Sequence, residues 1–387
     1  LKKLSKQQNI NMMQSITEAG SLQGKYVIVR SSCNVPLVDG QVGNMYRLKC
    51  ALPTLQYLRE AGARVFLIAH IGRDETDTLK PVFEALQTLV PCRWGGSVGS
   101  KELAAARAAI VDGDIVIVEN LRQHKEESDN DATFAAELAK LGDIYVNDAF
   151  DNIHRDHASM VTLPTLLPAY AGITLLEEVT HITSVMQPAH PSLFIIGGAK
   201  FETKMPLVEK YLASYDHVFV SGALANDIMV ADGLEVGRSL VSEISLHGAD
   251  FLQNPKLIRP VDVIVESERG VRIAAVTDVA SDEKITDMGP ATIALLTPYI
   301  KAAKTILWNG PLGLYENGVA GSTQAVAKQI AQSDAVSVIG GGDTVAAVEE
   351  LGLNDQFGFV SIGGGAMLTL LEAGNTRALQ ALGYEGM

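Results

Sequence analysis

The sequence predicts an α/β protein of two doubly wound, mainly parallel-sheet, Rossmann-like domains joined by a helix hinge. Three observations carry this. The chain has 387 residues, more than one hydrophobic core usually spans. Short β-branched runs alternate with helix-type stretches, the pattern of βαβ units on a parallel sheet. The alternation pauses at one long helical candidate, 172–187, and then restarts.

In the first half the strand candidates are "YVIVR" (26–30), "RVFLIAH" (64–70), "DIVIVEN" (114–120) and "DIYVNDAF" (143–150). Between them lie helix candidates such as "YRLKCALPTLQYLREAG" (46–62) and "ATFAAELAKLG" (132–142). Each ends on a glycine, Gly62 or Gly142, as helix C-termini commonly do. The second half supplies "SLFIIGG" (192–198), "HVFVSG" (217–222), "VDVIVE" (261–266), "TILWNG" (305–310), "AVSVIGG" (335–341) and "GFVSIGG" (358–364). The expected domains are 1–171, with 372–387 packing back on it, and 172–371.

Composition is that of a globular protein, 47% hydrophobic and 20% charged, with 35 glycines. A formal net charge of −14 opposes non-specific binding to nucleic acid or to anionic membranes. It leaves room for a small anionic substrate held by a local basic cluster. Cys33, Cys50 and Cys92 form no CxxC pair, so neither a disulfide framework nor a zinc site is expected, and a reducing cytoplasm fits. The opening "LKKLSKQQNINMMQSI" has no continuous apolar core, so no signal peptide is expected. No run of about 18 apolar residues predicts a membrane-spanning helix.

Ligands of open α/β sheets sit outside the carboxyl ends of the strands. In the first half those ends carry Arg30, Asn34, His70, Arg73, Glu119, Asn120, Arg122, Asn147, Asp148, His154 and Arg155. In the second half they carry Gly197, Gly198, Lys200, Ser221, Gly222, Asn309, Gly310 and two glycine triplets, 340–342 and 363–365. Arginine forks onto carboxylate or phosphate through paired hydrogen bonds. Glycine at a strand-to-helix turn lets the backbone approach phosphate, and the helix behind it offers unpaired N–H groups. Lys200 and Lys204 add charge there, and Asp343 is suited to hold Mg²⁺ against phosphate oxygens. Neither glycine turn has Walker A or GxGxxG spacing, so each one alone fits a plain tight turn equally well. His154 and His157 stand at HxxH spacing without a clear third ligand, which does not make a zinc site. Taken together, one domain grips a small anion and the other a nucleotide. Phosphoryl transfer, which needs mainly positioning and charge neutralisation, suits that pair.

Over about 24–371 the sequence resembles the phosphoglycerate kinase family. The resemblance rests on "NVPLVDG", "RLKCALPTLQYL", "AHIGR", "VENLRQHKEE", "YVNDAFDNIHRDHAS", "GGAKFETK", "VGRSL", "PVDVIV", "WNGPLGLYE" and "GGGDTVAAVE", in family order. It implies reversible phosphoryl transfer between 1,3-bisphosphoglycerate and Mg-ADP, giving 3-phosphoglycerate and ATP, a step of glycolysis and gluconeogenesis. It also implies a cytoplasmic monomer with hinge closure, an N-terminal glycerate domain and a C-terminal nucleotide domain. Ser32, Asn34, Arg47, His70, Arg73, Arg122 and Arg155 fall at the glycerate-binding positions, with Arg47 also neutralising the moving phosphoryl group. Lys200 falls where the family stabilises that group from the nucleotide side. Gly198, Lys204, Gly222, Asn309, Pro311, Glu316, Gly341, Gly342, Asp343 and Thr344 fall at the nucleotide-binding positions, Asp343 being the Mg²⁺ ligand. The second triplet, Gly363 to Gly365, is expected to offer backbone N–H groups to the phosphoryl group in flight, with Gly364 and Gly365 as catalytic positions.

The departures from the family pattern are local. "RSSCNVP" has Ser32 and Cys33 where the family reads an Asp, which contacts substrate, and then an aromatic residue or Leu. "AFDNIHR" has Asp151 and Asn152 in place of a Gly-Thr type pair. Asp74, Gln123, Ser221, Ala223, Ile362 and Met367 are further exchanges. Losing the acid at 32 and gaining one at 151 implies weakened glycerate binding. It keeps open a catalytically impaired nucleotide-binding or scaffold protein, or a kinase for another small acid.

Overall fold

The computed structural model describes residues 13–199, 201–243, 246–315 and 318–386, the side chains of 201–203 aside. Lys200 and Glu316 lie outside the described residues. The chain divides into two compact units. The first is Leu1–Thr180 with Ala373–Met387, and the second is His181–Glu372.

The first unit begins with β1 (Tyr26–Ser31), a hairpin of β2 (Leu37–Val38) and β3 (Gln41–Val42), and helices α1 (Tyr46–Cys50) and α2 (Leu52–Glu60). β4 (Arg64–Ile68), α3 (Lys80–Gln87), β5 (Arg93–Gly96), α4 (Lys101–Ala109) and β6 (Ile115–Val118) follow. Then come α5 (Lys125–Ser128), α6 (Ala132–Ala139), β7 (Ile144–Asp148), β8 (Ala169–Ala171) and α7 (Ile173–Ser184). The division between units falls inside α7. The helix candidate 46–62 is in fact two helices meeting at Ala51. Pro53 sits in the first turn of α2, where its missing N–H leaves no hydrogen bond unmade.

Six parallel strands form the first sheet, in the order β5-β6-β4-β1-β7-β8. Val27, Ile28 and Val29 of β1 are all fully buried, so both faces of the strand are covered. That explains the unbroken apolar run, since a parallel sheet packs helices on both sides. Val27, Val29, Val65, Leu67 and Ile117 share one core with Leu55 and Leu58 of α2. From β1 the chain winds towards β4 on one side, and β7 leads to β8 on the other. The order therefore reverses beside β1, and at the carboxyl ends next to such a reversal open α/β sheets form their ligand crevice.

The second unit contains β9 (Ser192–Ile196), α8 (Phe201–Ser214), β10 (His217–Val220), α9 (Ala223–Ala231) and β11 (Leu257–Ile258). Next are β12 (Asp262–Ser267), β13 (Gly270–Ala275), β14 (Lys284–Met288) and α10 (Pro290–Ala302). β15 (Thr305–Asn309), α11 (Gly321–Ala331), β16 (Val336–Gly340), α12 (Gly342–Glu350), β17 (Phe359–Val360) and α13 (Gly364–Ala373) complete it, and α14 (Arg377–Gln380) closes the chain. Its main sheet is again six parallel strands, β11-β10-β9-β15-β16-β17. Winding leaves β9 in one direction and β15 in the other, so the reversal lies between those two neighbours.

One strand candidate belongs elsewhere. "VDVIVE" forms β12, which pairs antiparallel with β13 and β14 in a separate three-stranded sheet. Its register brings Ser267 opposite Gly270, so the two intervening residues make a hairpin turn that folds the chain straight back. No described helix is long and apolar enough to cross a membrane.

Candidate functional site

In the first unit the site is built from the loops after β1, β4, β6 and β7. Arg30, the penultimate residue of β1, is fully buried. Its guanidinium donates to the Ser31 carbonyl at 2.7 Å, to Ser159 Oγ at 3.0 Å and to His70 Nδ1 at 2.7 Å. A guanidinium only donates, so His70 Nδ1 accepts, and the proton of the neutral ring stands on Nε2. Burial, with Arg30, Arg122, His157 and Arg155 nearby, holds His70 far below its ordinary pKa and therefore neutral. Ser159 is fixed in turn by buried Glu127, which accepts from its amide at 2.9 Å and its hydroxyl at 2.5 Å. His157 is pushed down to about 3 by burial and then by Arg30 and Arg122.

Asn120 organises the neighbouring loops. Its side chain accepts from the amides of Ile71 (3.2 Å) and Arg122 (3.1 Å) and donates to the carbonyls of Ile71 (3.0 Å) and Asp77 (2.8 Å). Arg122 donates to the Gly72 carbonyl. Desolvation, then Arg155 and Arg30, lowers its pKa, with a smaller lowering from Arg73, which places these cations around one space. Arg73 and Arg155 are exposed at its rim. Asn34 Oδ1 accepts from the Gly72 amide at 3.1 Å, and its carbonyl accepts from Arg47 Nη1 at 2.5 Å. Ser32 donates to Asp151, whose other oxygen is 3.7 Å from Arg47 Nη1. This basin can hold a small polyanion by forked cationic contacts and a neutral imidazole donor.

The second unit's site is made mostly of backbone. Gly310 follows β15 at φ +95°, and a Cβ there would lie 2.2 Å from the Gly197 carbonyl oxygen, so only glycine fits. A Cβ on Gly364 would lie 2.9 Å from Gly341 Cα, so the two triplets touch through their backbones. Gly198, Gly222, Asn309 and Pro311 stand at the ends of β9, β10 and β15, beside the reversal in strand order. α9, α12 and α13 start at this edge, so first-turn N–H groups without partners in their own helices point from it. Lys204 is nearly buried and donates to the Gly197 carbonyl. Asp343 lies in the first turn of α12 and is half-buried. The adjacent Thr344 hydroxyl is buried and finds no hydrogen-bond partner among the described residues.

A model of the phosphoglycerate kinase family matches residues 16–374. The chain belongs to the phosphoglycerate kinase family. It is 38% identical to phosphoglycerate kinase of Methylorubrum extorquens (strain PA1), covering 96% of this chain and 99% of that one. It is 40% identical to that of Herpetosiphon aurantiacus, covering 90% and 94%. The solved phosphoglycerate kinase of Coxiella burnetii matches at a TM-score of 0.84, with 33% identity over 97% of this chain and all of that one. The Pyrococcus horikoshii enzyme matches at 0.85 with 27% identity.

Ser32, Asn34, His70, Arg73, Arg122 and Arg155 lie on the segments that follow β1, β4, β6 and β7, and Arg47 lies on α1. Two groups act here beyond the candidate site residues. Arg30, a strand-end cation in the sequence, sets the His70 tautomer. Glu127, on α5, holds Ser159, which holds Arg30; both are far from Arg30 in sequence, and no spacing signal could have joined them. The second triplet also differs in detail from expectation. The Gly363 amide donates to Ser361 Oγ at 3.2 Å, which leaves Gly364 and Gly365 as its available donors. Ala366 and Met367 are fully buried, and Met367 Sδ occupies the space that a Cβ on Gly340 would enter, 2.2 Å away. Asp343 and Thr344 follow the first triplet, whereas packing makes the residues after the second, Ala366 and Met367, apolar.

Proposed function

We propose that this chain catalyses reversible phosphoryl transfer between 1,3-bisphosphoglycerate and Mg-ADP, with the first unit binding the glycerate and the second the nucleotide. The observation that carries this is the pairing of two unlike anion sites in one chain, a cationic basin beside β1 and a glycine-walled edge between β9 and β15. Arg122, Arg155 and Arg73 bind the phosphate and carboxylate of the glycerate, and Asn34 and Ser32 orient it. His70, neutral and protonated on Nε2, donates a hydrogen bond without adding charge. Arg47 meets the phosphoryl group as it moves.

On the nucleotide side, Gly198, Gly222, Gly341 and Gly342 approach the phosphates through their backbones, with Lys204 and Thr344 adding side-chain donors. Asn309 and Pro311 flank the nucleotide. The amides of Gly364 and Gly365 face the group in transfer. Lys200 and Glu316 retain the roles that the resemblance implies.

The donor set fits a hard cation sparsely. Asp343 offers one carboxylate, and no cluster of three His, Cys, Asp or Glu side chains suited to a metal occurs among the described residues. Mg²⁺ would therefore be held by Asp343 and mainly by phosphate oxygens, where it neutralises phosphate charge. A cytoplasmic monomer is part of the same proposal.

A coupled assay tests it. ATP consumption should require both Mg²⁺ and 3-phosphoglycerate. Nucleotide binding without turnover would support a scaffold protein instead.

A further inference from the structure

Asp151 is out of place in a site for anions. It lies in the cationic basin, and its side chain is only 8% exposed. Oδ1 accepts from the Ser32 hydroxyl and from Asn152 Nδ2 at 2.6 Å. Oδ2 faces Arg47 Nη1 at 3.7 Å, longer than a direct hydrogen bond. Arg47 is itself held 2.5 Å from the Asn34 carbonyl. The carboxylate is thus fixed in orientation by its neighbours. A ligand made only of anionic groups gains nothing from it and is repelled. A ligand that also carries a hydroxyl gains a charged acceptor beside the cations that grip its ends.

We propose that Asp151 is a specificity-determining residue that accepts a hydrogen bond from the ligand's hydroxyl, and that Ser32 is the residue that positions it. This rests on the phosphoglycerate kinase reading, because 3-phosphoglycerate has one free hydroxyl between its carboxylate and its phosphate. The two departures from the family pattern at 32 and 151 then make a single exchange. The acid has moved from one loop to the other, and the two side chains touch across 119 positions of sequence. Glycerate recognition is relocated, not lost.

The test compares 3-phosphoglycerate with its 2-deoxy analogue, 3-(phosphonooxy)propanoate, by calorimetric binding and by steady-state kinetics. The wild-type chain should bind the hydroxylated ligand more tightly. Asp151→Asn, which keeps the side chain's shape, should weaken 3-phosphoglycerate about 10- to 100-fold, the worth of one charged hydrogen bond, and affect KM more than kcat. The analogue's affinity should hold or improve. Combining Ser32→Asp with Asp151→Gly should restore the preference for the hydroxylated ligand. The proposal is overturned if Asp151→Asn tightens both ligands equally, if the wild type binds both equally, or if the double variant stays as weak as Asp151→Asn. Absence of wild-type turnover would sink the kinase reading alone, because the binding ratio reports on Asp151 separately.

Discussion

In the first unit the strand ends carry Arg30, His70, Arg122 and Arg155, whereas the matching ends of the second unit carry glycine at 197, 198, 310 and 341. Both sheets are six-stranded and parallel, and both have a reversal of strand order. The same architecture therefore offers an anion two different partners. One is a set of side chains whose charge and reach are held by a buried network through Arg30, Ser159 and Glu127. The other is the main chain itself, exposed where side chains are absent. Side-chain recognition distinguishes the shape and substituents of a small acid. Backbone recognition grips phosphate with little dependence on the rest of the ligand.

The strongest consequence of this division falls at Arg47. If its main contact forms as the phosphoryl group moves, Arg47→Ala should lower kcat by about 10²- to 10³-fold, while Mg-ATP affinity changes by about twofold or less. Steady-state kinetics with a nucleotide titration checks this. Equal losses in turnover and nucleotide affinity would contradict the division of labour.

The next concerns the base of the first crevice. Asp148, at the end of β7, accepts from the Leu175 amide of α7 at 3.0 Å. Burial pushes it up to about 6. Its folded-state value exceeds the ordinary one near 3.8, so the native state binds more protons between those limits. Stability should therefore fall as pH rises through that window and level off above it, by about 3 kcal/mol in all. Urea titrations at pH 4 and pH 7 should show that Asp148→Asn flattens this dependence. Parallel slopes for variant and wild type would show that another group is responsible.

Much of this was legible in the sequence, for physical reasons that also mark where legibility ended. β1, β4, β6 and β7 and their counterparts β9, β10, β15 and β16 are buried on both faces, and such strands read as apolar β-branched runs bounded by turns. β12 reads the same way, yet it pairs antiparallel, because a run of residues does not name its partner. β5 contains Gly95 and Gly96, and β8 has only three residues, so neither gives a pattern. In the candidate sites, His70 and Arg122 could be marked from sequence because they follow strand ends, where open α/β sheets bind ligands. The contact of Ser32 with Asp151 could not, because each residue taken alone looked like a loss.

The most direct test of the two-site account is a calorimetric matrix, with 3-phosphoglycerate and Mg-ATP each titrated into Arg122→Ala and Gly310→Ala. Adding a Cβ at Gly310 strains a left-handed position by about 1–2 kcal/mol and overlaps the Gly197 carbonyl, so the nucleotide edge must shift. A crossed pattern is expected. Arg122→Ala should lose 3-phosphoglycerate and keep Mg-ATP, and Gly310→Ala should do the reverse. Loss of both ligands in folded Arg122→Ala, or of neither in either variant, would contradict it.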